Sequence, residues 1–336
     1  VLLDPAGQAA DAAVAIDWFE PSPDGRLVAL GLSEGGTEES TLHVLDVDRA
    51  ALTDTRIPLT RAASVAWKPD GSGFWYARYP EGDQYHRHIR YHALGTDPAD
   101  DPIVFDRLPN PQAWPDVHAT PDGRYLVVEM LVGWGRHDVH LLDVDRDEWT
   151  VVVEGEEAIT SIEIDGDRIV AMTTLDAPNG RIVVAPLSTP GVEHWRTVVP
   201  ERADAVLGSP HVVDGELVVT ASTVAVDRVE VWALATDDTS AVAAAAPVRT
   251  IDLGIAAVQQ LVTEDATGSV FAVVTTFDAP TAVARIDTAS AEVRPWCPEA
   301  PSADALAALT VRQVAYPSLD GTEIGLFLVH RADVTP

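Results

Sequence analysis

Cysteine and lysine are almost missing from this chain. Cys297 is the single cysteine, so no disulfide can close within the chain and no cysteine-based zinc site can assemble. A lone thiol reads first as a small buried hydrophobe. Lys68 is the single lysine, and 22 basic residues stand against 53 acidic ones, a net charge of −31. A surface of this sign does not neutralise phosphates, so no nucleic acid partner is expected. Anionic bilayers are disfavoured for the same reason, and no apolar run reaches the roughly 18–20 residues of a membrane span, so no membrane partner is expected. The chain also lacks an initiator methionine and a signal peptide. It opens "VLLDPAGQ", in mid-strand by its pattern, which predicts a segment upstream. The location expected is the cytoplasm. Neither a phosphate-binding GxxxxGK[ST] loop nor a dinucleotide fingerprint occurs, and no cofactor is expected.

What is present is a repeat. With 336 residues and an apolar fraction of 46 %, the chain can bury a large core. A turn between two apolar runs recurs: "SPDGRLVALGL" at 22–32, "KPDGSGFWYARY" at 68–79 and "TPDGRYLVVEM" at 120–130. Weaker copies follow at 164–174, 213–222 and 264–276. The marker residues are Asp24, Asp70, Asp122, Asp165, Asp214 and Asp265, spaced by 46, 52, 43, 49 and 51 residues. In the Pro-Asp-Gly turns, Pro presets φ, Asp bonds its own backbone and Gly takes positive φ. About twenty residues after each turn comes a strand ending in a polar turn, as in "TLHVLDVDR" (41–49) and "DVHLLDVDR" (138–146). No long segment has helical period. Four short strands per unit, at a period of about 48 residues, is the size of a β-propeller blade. The reading is therefore all-β: a seven-bladed β-propeller of four-stranded antiparallel blades, the first incomplete. Residues 1–10 would be the end of that first blade, and blades would follow at about 11–60, 61–110, 111–155, 156–200, 201–253 and 254–310. The segment 311–336 falls outside the period. In it a Ser-Leu-Asp-Gly turn separates two alternating runs, which predicts a hairpin that needs a partner for its apolar face.

Candidate chemistry is sparse. "GLSEG" (31–35) matches the G-x-S-x-G nucleophile elbow, but a strand and not a helix follows it, so Ser33 is expected in a hairpin turn. His86, His88 and His92 in "HRHIRYH" would share a strand face. Their Tyr and Arg neighbours suggest a solvated rim, so no metal site is expected. The pairs Asp46 with Asp48, Asp143 with Asp145, Asp165 with Asp167 and Asp237 with Asp238 fit strand-ending turns. Most tryptophans, such as Trp67 and Trp75, read as packing between blades. Trp114 and Trp134 lie beside Pro or Gly in connections and could line an opening.

Several strings carry a resemblance. "ATPDGRYLVVEM" (119–130), "IRYHALGTD" (89–97) and above all "VAYPSLDGTEIGLFLVH" (314–330) resemble the prolyl oligopeptidase family of serine peptidases, and "SPDGRLVALGLSEGG" (22–36) resembles the family's second blade. The resemblance implies a seven-bladed propeller inserted in an α/β-hydrolase chain. There the propeller caps and gates the active site and limits access to short peptides. It implies that 311–336 is the first hairpin of the peptidase domain, truncated. It places the catalytic Ser, Asp and His beyond this chain, so no catalytic residue is expected here. His330 matches a first-strand position and not the catalytic base, and Ser33 does not match the nucleophile. Where the family's propeller lends the substrate cleft a Phe from a Phe-Pro…Trp connection, this chain reads "RLPNPQAWPD" (107–116). Leu108 stands in place of the Phe, with Trp114 beside it. These two are the candidate cleft or gating residues. The implied partners are the α/β-hydrolase domain of the same polypeptide and short proline-containing peptides, cut on the C-terminal side of proline. The rival reading is a stand-alone propeller that acts as a protein-binding scaffold, for which the 311–336 hairpin has no use.

Overall fold

The Pro-Asp-Gly turns close as their side chains dictate. Asp24 accepts hydrogen bonds from the Ser22 hydroxyl at 2.7 Å and the Arg26 amide at 3.1 Å, and Gly25 sits at φ 68°. Asp70 binds Ser72 through the amide (3.0 Å) and the hydroxyl (2.6 Å), with Gly71 at φ 67°. Asp122 does the same with Arg124 and Thr120, with Gly123 at φ 71°. Each carboxylate gathers donors, which holds its pKa below the usual aspartate value.

The structure is a computed structural model that describes residues 1–7, 13–234, 246–264, 268–296 and 309–334. Cys297, the marker Asp265 and the pair Asp237 and Asp238 lie outside the described residues. The chain divides into two compact units, Val1–Thr160 and Ser161–Pro336.

The first unit holds three four-stranded sheets. The first runs β1 (Val14–Pro21), β2 (Leu27–Glu34), β3 (Thr41–Asp46), β4 (Ala51–Ile57); the second, β5 (Val65–Trp67), β6 (Gly73–Arg78), β7 (His88–Ala93), β8 (Ile103–Phe105); the third, β9 (Trp114–Ala119), β10 (Tyr125–Leu131), β11 (His137–Asp143), β12 (Glu148–Val153). Hydrogen-bonded order follows chain order in each, so every sheet is an antiparallel meander. The core lies between successive sheets. Ala29, Leu42, Val44 and Ile57 of the first pack against Trp67, Phe74 and Tyr76 of the second. On the far face of the second, Trp75, Ile89 and Phe105 meet Val117, Leu126 and Met130 of the third. Both faces of a middle blade are thus buried, which explains why its strands read as apolar runs rather than strict alternations.

The second unit continues with β13 (Thr160–Asp165), β14 (Arg168–Thr173), β15 (Arg181–Pro186) and β16 (Arg196–Val199). Next come β17 (Val206–Leu207), β18 (His211–Val213), β19 (Glu216–Thr223), β20 (Val226–Ala233) and β21 (Arg249–Asp252). The last blade is β22 (Ala257–Glu264), β23 (Ser269–Thr275), β24 (Ala282–Asp287) and β25 (Glu292–Pro295). The five-stranded sheet is a four-stranded blade whose first strand is split: β17 and β18 both pair with β19. Pro210 has no N–H to give, and at Gly208 a Cβ would collide with the Thr220 hydroxyl. A two-stranded sheet, β26 (Leu309–Pro317) with β27 (Glu323–Arg331), closes the described chain.

The architecture is a β-propeller of four-stranded antiparallel blades with three short 3₁₀ turns as its helical content among the described residues. Two expectations need correction. Among the described residues six blades are present, not seven. "VLLDP" is not a strand: the Gly7 amide bonds the Asp4 carbonyl and the Ala6 amide bonds the Asp4 side chain, which coils Pro5–Gly7 into a 3₁₀ turn. And Ser33 does not sit in a turn. It lies within β2, 2 % exposed, donating to Asp17 Oδ1 at 2.9 Å. The turn comes after it, at Gly35 and Gly36, both at positive φ.

Candidate functional site

In an antiparallel meander, the first-to-second and third-to-fourth turns leave one end of the sheet. The second-to-third loop and the exit connection leave the other. In the first unit these two ends differ in chemistry. The first is acidic: Asp24, Asp46, Asp48 and Asp70 surround one open hollow there. The second carries the aromatic residues. It is built from the loops 35–40 (β2 to β3), 79–87 (β6 to β7) and 132–136 (β10 to β11) and from the connections 58–64 and 106–113, and it also carries Glu38 and Glu39, which pair with Arg61. Backbone bonds tie these segments together: Tyr79 N to Leu59 O at 3.0 Å and His86 N to Pro111 O at 2.9 Å.

The structure brings both candidate residues to this second end. Leu108 is half-buried and packs on the core between the second and third sheets. Trp114 is half-buried and opens β9 rather than lying in the connection. Trp134, between Gly133 and Gly135 in the loop 132–136, is fully exposed, and Tyr85 is 50 % exposed. The stem of the Trp134 loop is pinned: Arg136 grips Asp138 through Nε (2.8 Å) and Nη2 (2.7 Å), and Val132 N bonds Arg136 O at 2.8 Å.

Spacing alone did not reveal Arg87. Its guanidinium stacks 4.3 Å from the Tyr79 ring centroid and 3.0 Å from that of Trp114. Tyr79, Arg87 and Trp114 lie on three different segments, so no local pattern announces them.

The histidine string resolves differently from expectation. His86 precedes the strand at φ 55°, exposed, and its Nδ1 meets Asp83 at 2.7 Å. His88 and His92 are not on a solvated rim: they are 6 % and 0 % exposed. His92 Nδ1 lies 3.0 Å from Asp101 Oδ1, and the Tyr76 hydroxyl donates to Asp101 Oδ2 at 2.7 Å. His88 Nε2 accepts from Arg90 Nε at 2.9 Å. This interlocked set sits inside the second blade and presents nothing to solvent. Among the described residues, no group of three or more His, Cys, Asp or Glu is placed to hold a metal ion. Ser33 has an aspartate at its hydroxyl and no following helix to supply oxyanion donors.

In the second unit the β26–β27 hairpin seats on turns of the same topological class. Phe327 packs on Phe277 of the β23–β24 loop with ring centroids 5.0 Å apart, and Gln313 Nε2 donates to the Val224 carbonyl of the β19–β20 turn at 2.8 Å. Gly325 lies where a Cβ would collide with the Val224 side chain.

With this geometry in place, comparison with known proteins is decisive. Residues 1–299 match the sequence model described as "Prolyl oligopeptidase, N-terminal beta-propeller domain". The chain belongs to the prolyl oligopeptidase family. It is 24 % identical to the prolyl endopeptidase of Elizabethkingia meningoseptica over 61 % of this chain and 30 % of that one. It is 27 % identical to the dual function macrocyclase-peptidase POPB of Galerina marginata over 62 % and 32 %. A solved structure from a study of two prolyl endopeptidases and the role of inter-domain dynamics in their catalysis and specificity superposes with a TM-score of 0.85 at 29 % identity, over 99 % of this chain and 49 % of that one. Prolyl oligopeptidase B of Galerina marginata, bound to a 35mer hydrolysis and macrocyclization substrate, shares the fold at a TM-score of 0.82 and 22 % identity, again over 99 % of this chain and 48 % of its own. The chain therefore spans about half the length of these solved structures and about a third of the curated relatives it matches.

Proposed function

We propose that this chain is the propeller of a serine peptidase that cuts short peptides on the C-terminal side of proline, capping and gating an active site supplied by an α/β-hydrolase domain of the same polypeptide. The observation that carries the reading is the seat of the β26–β27 hairpin. It rests on second-to-third-strand turns, at Val224 and Phe277, and the stretch 314–330 is the one that most resembles the family's peptidase domain. In the first unit, segments at the same end of their sheets present Leu108, Trp114, Trp134 and Tyr85 while the opposite end is acidic. The aromatic surfaces at this end, set among exposed charges such as Glu38, Glu39 and Arg61, suit a prolyl peptide, which offers a preformed apolar ring and few donors.

The chemistry follows from the family. The hydrolase domain supplies a serine nucleophile, a histidine general base and an oxyanion hole for acyl transfer. This chain's contribution is steric selection, exclusion of bulk water and gating by domain opening. Leu108 offers an apolar wall without aromatic stacking, and Trp114 supplies the aromatic surface beside it. The test uses the whole encoded polypeptide on prolyl and alanyl anilides, with fluorophosphonate labelling. The expected result is cleavage of the prolyl substrate in strong preference, with the label on a serine outside residues 1–336. Labelling of Ser33, or equal rates on the two anilides, would overturn the reading.

A further inference from the structure

Arg87 is 2 % exposed, in the loop between β6 and β7. Its donors go to neutral acceptors: Nη2 to the Arg61 carbonyl at 3.0 Å and to the Tyr79 hydroxyl, and Nη1 to the Ala62 carbonyl at 3.4 Å. Nε is buried without a partner. Among the described residues no carboxylate lies within ion-pair distance of it, whereas Arg136 and Arg249 each hold one and Arg202 holds two. Desolvation pulls its pKa down, and the favourable charge of Asp116 acts only from further away. A buried cation without a counter-ion costs stability, and an apolar side chain of similar volume would fill the space without that cost. What the guanidinium supplies, and a hydrocarbon could not, is geometry. Its fork grips the connection 58–64, where Leu59 and Ala62 are held at φ 66° and 41°, a region non-glycine residues rarely adopt. Its plane lies on the Trp114 indole and fixes that ring's tilt. One face of Trp114 is therefore committed to Arg87, and what the tryptophan offers solvent is set by the arginine.

We infer that Arg87 is a positioning residue of the peptide-facing end: it orients Trp114 and locks the connection 58–64, so that peptide meets a fixed aromatic surface. The inference rests on the reading above, that this end faces the substrate.

The experiment takes the whole polypeptide and measures kcat and KM on a proline-containing peptide for the wild type, Arg87→Gln, Arg87→Lys, Trp114→Ala and the double variant Arg87→Gln with Trp114→Ala. Loss of a cation–π contact predicts a rise in KM of about three- to twenty-fold in Arg87→Gln, with kcat within about two-fold. Arg87→Lys, which keeps the charge but not the planar fork, should recover part of the loss. In the Trp114→Ala background, Arg87→Gln should add little, because the ring it orients is gone. Should Arg87→Gln fail to fold, the lysine variant carries the same KM comparison. An unchanged KM with a lowered melting temperature would make Arg87 a strut only and overturn the inference, as would fully additive effects on KM. Absence of proline-specific cleavage in the wild type would sink the functional reading and this inference together. Cleavage with KM indifferent to Arg87 sinks the inference alone.

Discussion

Removing one oxygen atom from Tyr76 tests how the second blade is held. Tyr76 is 0 % exposed and its hydroxyl donates to the Asp101 carboxylate at 2.7 Å, while Asp101 is itself 5 % exposed and shared with His92. The ring packs edge-on to Phe74 at 5.7 Å, a contact Phe would keep. Tyr76→Phe therefore removes a single charge-assisted hydrogen bond, and the expected cost is about 1.5–3 kcal/mol. Asp101→Ala takes away the acceptor of both the hydroxyl and the imidazole and leaves two buried donors stranded, which predicts about 3–5 kcal/mol. In that background the hydroxyl has lost its carboxylate acceptor and keeps only Arg78 nearby, so Tyr76→Phe should cost clearly less than in the wild type. Urea unfolding followed by circular dichroism measures each step as a midpoint shift at constant slope. A cost for Tyr76→Phe below about 0.5 kcal/mol, or the same cost in both backgrounds, would refute the assignment of this triad as the blade's polar lock.

Other outcomes follow from the same structure. His43, His88, His140 and His211 have pKa values lowered chiefly by burial. The unfolded chain then takes up protons first as pH falls, so stability should be full above about pH 6.5 and decline below it. A urea midpoint that stays flat from pH 7.5 to 5 would contradict this. Gly25 and Gly123 both sit at positive φ, but a Cβ at Gly25 meets nothing within 4 Å whereas one at Gly123 lies 2.6 Å from Pro69 Cδ. Gly25→Ala should cost about 1 kcal/mol and Gly123→Ala clearly more, read as paired midpoint shifts. Phe327→Ala removes the ring that seats the hairpin on Phe277, so limited proteolysis should cut 309–334 faster while the blades unfold as before. Equal cutting rates would show that the ring contact does not hold the hairpin.

The turns and strands were legible because their causes are local. Asp24, Asp70 and Asp122 bind donors within two residues of themselves, and the glycine that follows each takes the φ that a tight turn demands. What stayed hidden depends on partners distant in sequence. The burial of His92 depends on Phe74 of β6, whose ring lies 5.4 Å from the imidazole, and on Asp101, the last residue of the "GTDPADD" turn. Ser33 reads as a turn residue from its glycine neighbours, yet Asp17, sixteen residues earlier, draws its hydroxyl inward. Arg87 belongs to a stack whose other members are eight and twenty-seven residues away. For the candidate site, sequence placed Leu108 and Trp114 in one connection. It had no means of showing that a buried cation stands against the tryptophan.

Peptide length directly probes the proposal that this chain screens substrates for a catalytic domain of the same polypeptide. The measurement is kcat/KM of the whole polypeptide on a series of peptides with one proline and increasing length, with residues 1–336 alone assayed in parallel. Under that proposal the whole polypeptide cleaves short peptides efficiently, kcat/KM falls steeply as length increases, and residues 1–336 alone give no turnover at any length. Length-independent cleavage, or turnover by the isolated chain, would contradict it.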